Sequence, residues 1–117
     1  MASLQEEDMS KTKLLMFDGN QQKWREWSRK FMARARLGHW SKILEGTESV
    51  PAENLDENIL LDEQKRARKL NDEAYNVLIL CCEGSAFNCV ERAVTTSLPH
   101  GDAVLAWKNL KEQYVDD

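Results

Sequence analysis

Three cysteines and two histidines are the residues of this sequence best suited to covalent or metal chemistry, and their spacing decides what they can do. Cys81 and Cys82 are adjacent, Cys89 stands apart from them, and no C-x-x-C pair occurs. Adjacent cysteines suit neither a disulfide framework nor a tetrahedral zinc site. They read as buried thiols in a reducing compartment. His39 sits beside the apolar Trp40 and His100 in a turn, and neither forms a helical pair with a second ligand in the manner of H-E-x-x-H. A Cys-His pairing has no local support. Phosphate-cradling loops need several glycines, whereas "FDGN" and "CEGS" hold one each. The paired carboxylates Glu6-Glu7 and Asp62-Glu63 fall in segments that read as solvated. The expectation is therefore a non-enzyme with no catalytic residue, no metal, no cofactor and no small-molecule substrate.

A second pattern concerns charge. Between Lys23 and Arg36 stand six basic residues and one acid, Glu26, a local charge of +5 in a chain whose net charge is −4. At helical spacing Trp24, Trp27, Phe31, Met32 and Ala35 share one arc. Arg25, Arg29 and Arg36 flank it on one side, and Lys23, Lys30 and Arg34 on the other. Two roles fit. The long side chains can cover the rims of an apolar face and pair with acids of neighbouring elements, such as those in "LDENILLDE". Alternatively, they can present a positive strip to RNA or to an acidic partner. The tryptophans all point to the core face, leaving no aromatic between the charges to stack a base, and this favours the structural role.

The elements that must position these residues are helical. The sequence has 117 residues, 42% hydrophobic and 31% charged, with two prolines and five glycines, which describes one globular domain with room for long helices. Met1 to Lys13 reads as a flexible N-terminal arm, with residues 14–117 as the domain. Apolar spacing predicts helices over about 22–37, ended by Gly38; over "HWSKILEG", ended by Gly46; over about 57–83; from a Ser85 cap through Phe87, Val90 and Val94; and from Asp102 through Tyr114. In the last, Pro99 and Gly101 shape the turn, Asp102 caps, and Ala103, Ala106, Trp107, Leu110 and Tyr114 form one apolar stripe, so Trp107 is expected in the core. The segment "TESVPAENLDEN" reads as an exposed connector. No segment alternates with period two, so no sheet is expected. The fold class is all-α, a single compact domain of about five helices. No apolar run reaches 18 residues and the first residues are polar, so neither a membrane span nor a secretory leader is expected, and the protein is placed in the cytoplasm. A pI near 5.2 argues against a dedicated nucleic-acid binder.

Order and spacing of several short motifs carry a resemblance. "FDGNQQKWREW" followed by "AYNVLILCCEGSAFNCVERAVTTSLPHGDAVLAWKNLKEQY" resembles the Gag polyproteins of copia-type LTR retrotransposons. Phe17, Gly19, Trp24 and Trp27 match the family's Phe-x-Gly with two spaced aromatics. Ala74, Tyr75 and Leu78 match its Ala-Tyr-x-x-Leu helix, and Ala86 and Phe87 its Ala-Phe helix. Leu98, Pro99, Gly101, Asp102, Ala103, Ala106, Trp107, Leu110 and Tyr114 match its Leu-Pro-x-Gly-Asp-Ala lead-in to an Ala-Trp-x-x-Leu helix ending in Tyr. The matches span about 14–114, and the stretch from Gly19 to the aromatic pair is slightly longer than the family pattern.

The resemblance implies the N-terminal, retroviral-capsid-like lobe of a capsid protein, from an active element or a domesticated copy. Its role would be structural: self-association into virus-like particles that enclose RNA. The partners implied are further copies of itself, weakly bound when the lobe is isolated, and RNA, mainly through regions outside this sequence. The motif residues would form a core, and Arg25, Arg29, Arg36, Lys23, Lys30 and Arg34 an RNA or assembly surface. The alternative is a helical RNA-binding or interaction adaptor using the basic helix.

Overall fold

The structure, a computed structural model, describes residues 15–115; the arm expected over 1–13 and the Glu6-Glu7 pair lie outside the described residues. The described residues form five α-helices: α1 Gln21–Leu37, α2 Ser41–Glu45, α3 Asp62–Cys81, α4 Gly84–Glu91 and α5 Ala103–Tyr114, with a 3-10 turn at Glu57–Ile59. The chain is all-α and packs around one hydrophobic core.

Helix α1 starts where Asn20 accepts a hydrogen bond from the Gln22 amide at 3.0 Å, and it buries Trp24, Trp27, Phe31 and Ala35. Arg34 and Arg36 in its last turn suit the negative end of the helix dipole. The helix ends at Gly38 as expected, the Gly38 amide closing the last turn on the Arg34 carbonyl, but without the left-handed backbone usual for a glycine cap. Gly38 keeps a right-handed backbone, and the left-handed residue is His39 at φ 65°. Glycine is required at 38 for another reason: the Trp40 indole lies where a Cβ would stand.

The single helix expected over 57–83 is divided. Leu60 and Leu61 are extended, Leu60 turns inward to be buried, and α3 starts only at Asp62. The Gln64 side chain accepts from the Leu61 amide at 2.8 Å, and Asp62 and Glu63 occupy the favourable first turn. The connector before it is exposed from 54 to 59, but its first half is anchored. Arg68 of α3 donates to the Ala52 carbonyl at 2.6 Å, and the Glu53 amide donates to the Ser97 carbonyl at 2.8 Å.

Ser85 is not the cap of α4. That helix begins one residue earlier, after an extended Glu83, and the Ser85 hydroxyl instead meets the Tyr114 hydroxyl at 2.6 Å. Val94 falls beyond α4 and is exposed, while Ala93 takes the buried position. No strand occurs among the described residues, but one parallel bridge joins Phe17 to Cys82. The Phe17 amide donates to the Cys81 carbonyl at 2.8 Å and the Glu83 amide donates to the Phe17 carbonyl at 2.9 Å. Period-two patterning cannot reveal a pairing of one residue.

The core is a network of rings. Phe17 stacks on Trp27 at 4.8 Å between centroids and meets Tyr114 edge-on at 5.0 Å. Trp24 and Phe31 each lie 5.6 Å from Trp107, and Phe31 extends the network to Trp40 at 5.5 Å. The Trp27 indole N–H donates to the Leu15 carbonyl. Such pairs add to the stability gained from burial alone. Trp107 is 7% exposed and joins α5 to α1, the place expected of it.

Candidate interaction groove

Of the motif residues, Phe17, Trp24, Trp27, Tyr75, Gly101, Trp107, Leu110 and Tyr114 are buried. Phe87 is half-buried and packs against the core, whereas Gly19 and Asp102 are half-buried and Pro99 is exposed, so these last three are not core residues as expected. Pro99 lies on the outer side of a turn, where Asp102 caps α5 by accepting from the Leu105 amide at 3.2 Å.

A residue that pattern reading passes over fixes this turn. Asn71 is buried on the inner face of α3, donating to the Gly101 carbonyl at 3.0 Å and accepting from the Ala103 amide at 2.9 Å. Its signal was its position, one helical turn after Ala67 and before Ala74, where a polar residue needs internal partners. Beside it the Tyr75 ring lies against Gly101, which has φ +129° and no room for a Cβ, and the Tyr75 hydroxyl donates to the Val90 carbonyl at 2.8 Å.

The residues first considered for chemistry do not converge. Cys81, Cys82 and Cys89 are buried, while His39 and His100 are exposed. His100 pairs with Glu53 across the anchored connector. Burial pushes the Cys81 thiol up to about 11, against a smaller opposing effect of Arg34. Burial and the neighbouring thiols raise Cys82 further, and burial also raises Cys89. A thiol nucleophile requires the opposite shift. Among the described residues no group of three His, Cys, Asp or Glu is placed to hold a metal ion, and no helix is long and apolar enough to cross a membrane.

The basic helix splits into two dissimilar flanks. On one side Lys23 pairs with Asp18 at 3.6 Å, Lys30 with Glu26 at 3.9 Å, and Arg34 is half-buried near Cys81. These exposed pairs contribute little. The pairing expected with acids of "LDENILLDE" is not formed among the described residues; Arg68 binds the Ala52 and Leu55 carbonyls and holds that segment to α3. On the other side Arg25, Arg29 and Arg36 are exposed and make no ion pair with a described residue.

This second flank borders a groove between α1 and α5. Its middle, about 360 Å³, is floored by Met32 and the edges of Trp24 and Trp107, with Arg29, Arg36 and Lys111 on its rims and no acid. Toward α2 it widens to about 560 Å³ over Leu44 and Val104, where Lys108 faces Glu45 and Glu112. Toward the start of α1 it continues past Arg25 and Tyr114, again without an acid. The sequence marked the α1 arginines. Lys108 and Lys111 went unmarked because they join the surface only when α5 packs alongside.

No family model, curated protein or solved structure matches the chain.

Proposed function

We propose that this chain is a structural capsid lobe of a copia-type retrotransposon Gag protein, or of a domesticated copy, which self-associates into virus-like particles enclosing RNA in the cytoplasm. One observation carries the reading. The aromatic residues that bear the resemblance, Phe17, Trp24 and Trp27 near one end and Trp107 and Tyr114 near the other, meet in one ring cluster. The motif thus describes a core, which leaves outer surfaces for assembly, in keeping with a retroviral-capsid-like lobe. The test is expression of the full-length gene product followed by electron microscopy and nuclease treatment. Closed particles with protected RNA are expected; a dispersed protein without RNA would reject the reading.

A second reading, a helical adaptor that binds RNA directly, draws on the acid-free run of Arg29, Arg36 and Lys111 in the groove. It predicts a mobility shift with single-stranded RNA that weakens steeply with salt. Binding indifferent to salt, or none, would remove it.

A further inference from the structure

Two surfaces of opposite charge lie on this molecule and adjoin only at Arg36, which borders both the groove and a depression with Glu63. The groove between α1 and α5 is basic and apolar-floored, and no residue from 50 to 64 lines it. The connector carries six acids from Glu48 to Glu63, with no Lys or Arg between Thr47 and Gln64. There Leu55, Ile59 and Leu61 are 42%, 70% and 61% exposed. Glu57 borders a depression with Lys65, Arg66, Arg68 and Lys69, and Glu63 one with Arg36, Lys42 and Arg66, yet neither acid forms an ion pair with a described residue. An exposed apolar triplet set among acids that form no close ion pair has the chemistry that the groove lacks.

We infer that the groove receives the Leu55–Glu63 segment of a second copy of this chain, the acids of the one facing Arg29, Arg36 and Lys111 of the other. The inference rests on the shell-forming reading and names its contact. Single-stranded RNA suits the groove less well: the chain is acidic overall, and Trp24 and Trp107 offer only 5% and 7% of their surface, too little for base stacking. Groove and segment are different patches, so the contact is head-to-tail. Each copy receives one neighbour and inserts into another, a geometry that closes into rings or propagates. Its charges complement across the contact, set its specificity and are screened by salt.

The test is sedimentation velocity over a concentration series reaching millimolar. The wild-type chain should form oligomers that grow with concentration and weaken with salt. A groove variant, Arg29→Glu with Lys111→Glu, and a segment variant, Ile59→Arg with Asp62→Arg, should each associate about tenfold more weakly or less, with unchanged helical circular dichroism. An equimolar mixture of the two should give a dimer and nothing larger, since each copy keeps only one working half of the contact. A wild-type chain that stays monomeric, a groove variant that oligomerises as readily as wild type, or a mixture without dimer overturns the inference. So does a wild-type monomer whose groove binds fluorescent oligouridine, which would make RNA the occupant. Electron microscopy of the full-length protein separates the two levels. Particles from wild type and groove variant alike overturn this contact and keep the shell reading. Head-to-tail dimers without particles keep the contact and overturn the shell reading.

Discussion

The hydroxyls of Ser85 and Tyr114 meet at 2.6 Å, tying the first turn of α4 to the last residue of α5. Tyr114 thereby uses its ring in the aromatic cluster and its polar tip at the helix junction. Tyr114→Phe keeps the ring and removes the tie, so it should cost about 1 kcal/mol, the usual net worth of one hydrogen bond. Urea midpoints measure it, and a loss of several kcal/mol would show that the hydroxyl does more than join two helices.

Asn71 satisfies two backbone groups at once. Asn71→Leu would strand the Gly101 carbonyl and the Ala103 amide in the interior, at roughly 1–3 kcal/mol each. We expect a large drop in melting temperature and faster amide exchange at Ala103. Unchanged exchange there would mean that the turn before α5 holds without the clamp.

Trp107→Ala should destabilise the fold by about 3–5 kcal/mol, the range for truncating a buried large aromatic. Its ring faces Trp24 and Phe31, and its edge floors the groove. If denaturant midpoints scarcely moved while self-association vanished, the groove role would outweigh the core role.

Stability should decline in alkali. The Cys81 thiol ionises near 9.0 ordinarily and at about 11 in the folded chain. Between those values the unfolded chain loses a proton that the folded chain retains, so the stabilisation is complete below pH 9 and is lost as pH rises toward about 11. Denaturant midpoints should fall through that window, and Cys81→Ala should make the fall shallower, with Cys82 and Cys89 keeping part of it. An equal slope in the variant would assign the effect to other groups.

Much of the fold was legible because helices announce themselves locally. Trp24, Trp27, Phe31 and Ala35 recur at helical spacing, and Asp102 stands where a cap belongs. What escaped reading was non-local. Leu60 breaks the third helix because it is drawn into the core, and Ser85 leaves the cap position for a partner that only tertiary packing supplies. The groove was half legible for the same reason. Arg25, Arg29 and Arg36 stand out within one helix, whereas their companions on α5 are ordinary lysines in sequence and become rims only when α1 and α5 lie side by side.

The Phe17 and Tyr114 rings, 5.0 Å apart, bring the two ends of the described chain to one corner of the molecule. A glycine-serine tether from Val115 to Leu15, in place of the residues outside that range, would therefore close the backbone into a circle, and new ends could be cut in the exposed stretch from 54 to 56. Such a circular permutant would keep the five described α-helices intact while moving the point of attachment for any fused cargo away from the Phe17–Tyr114 corner.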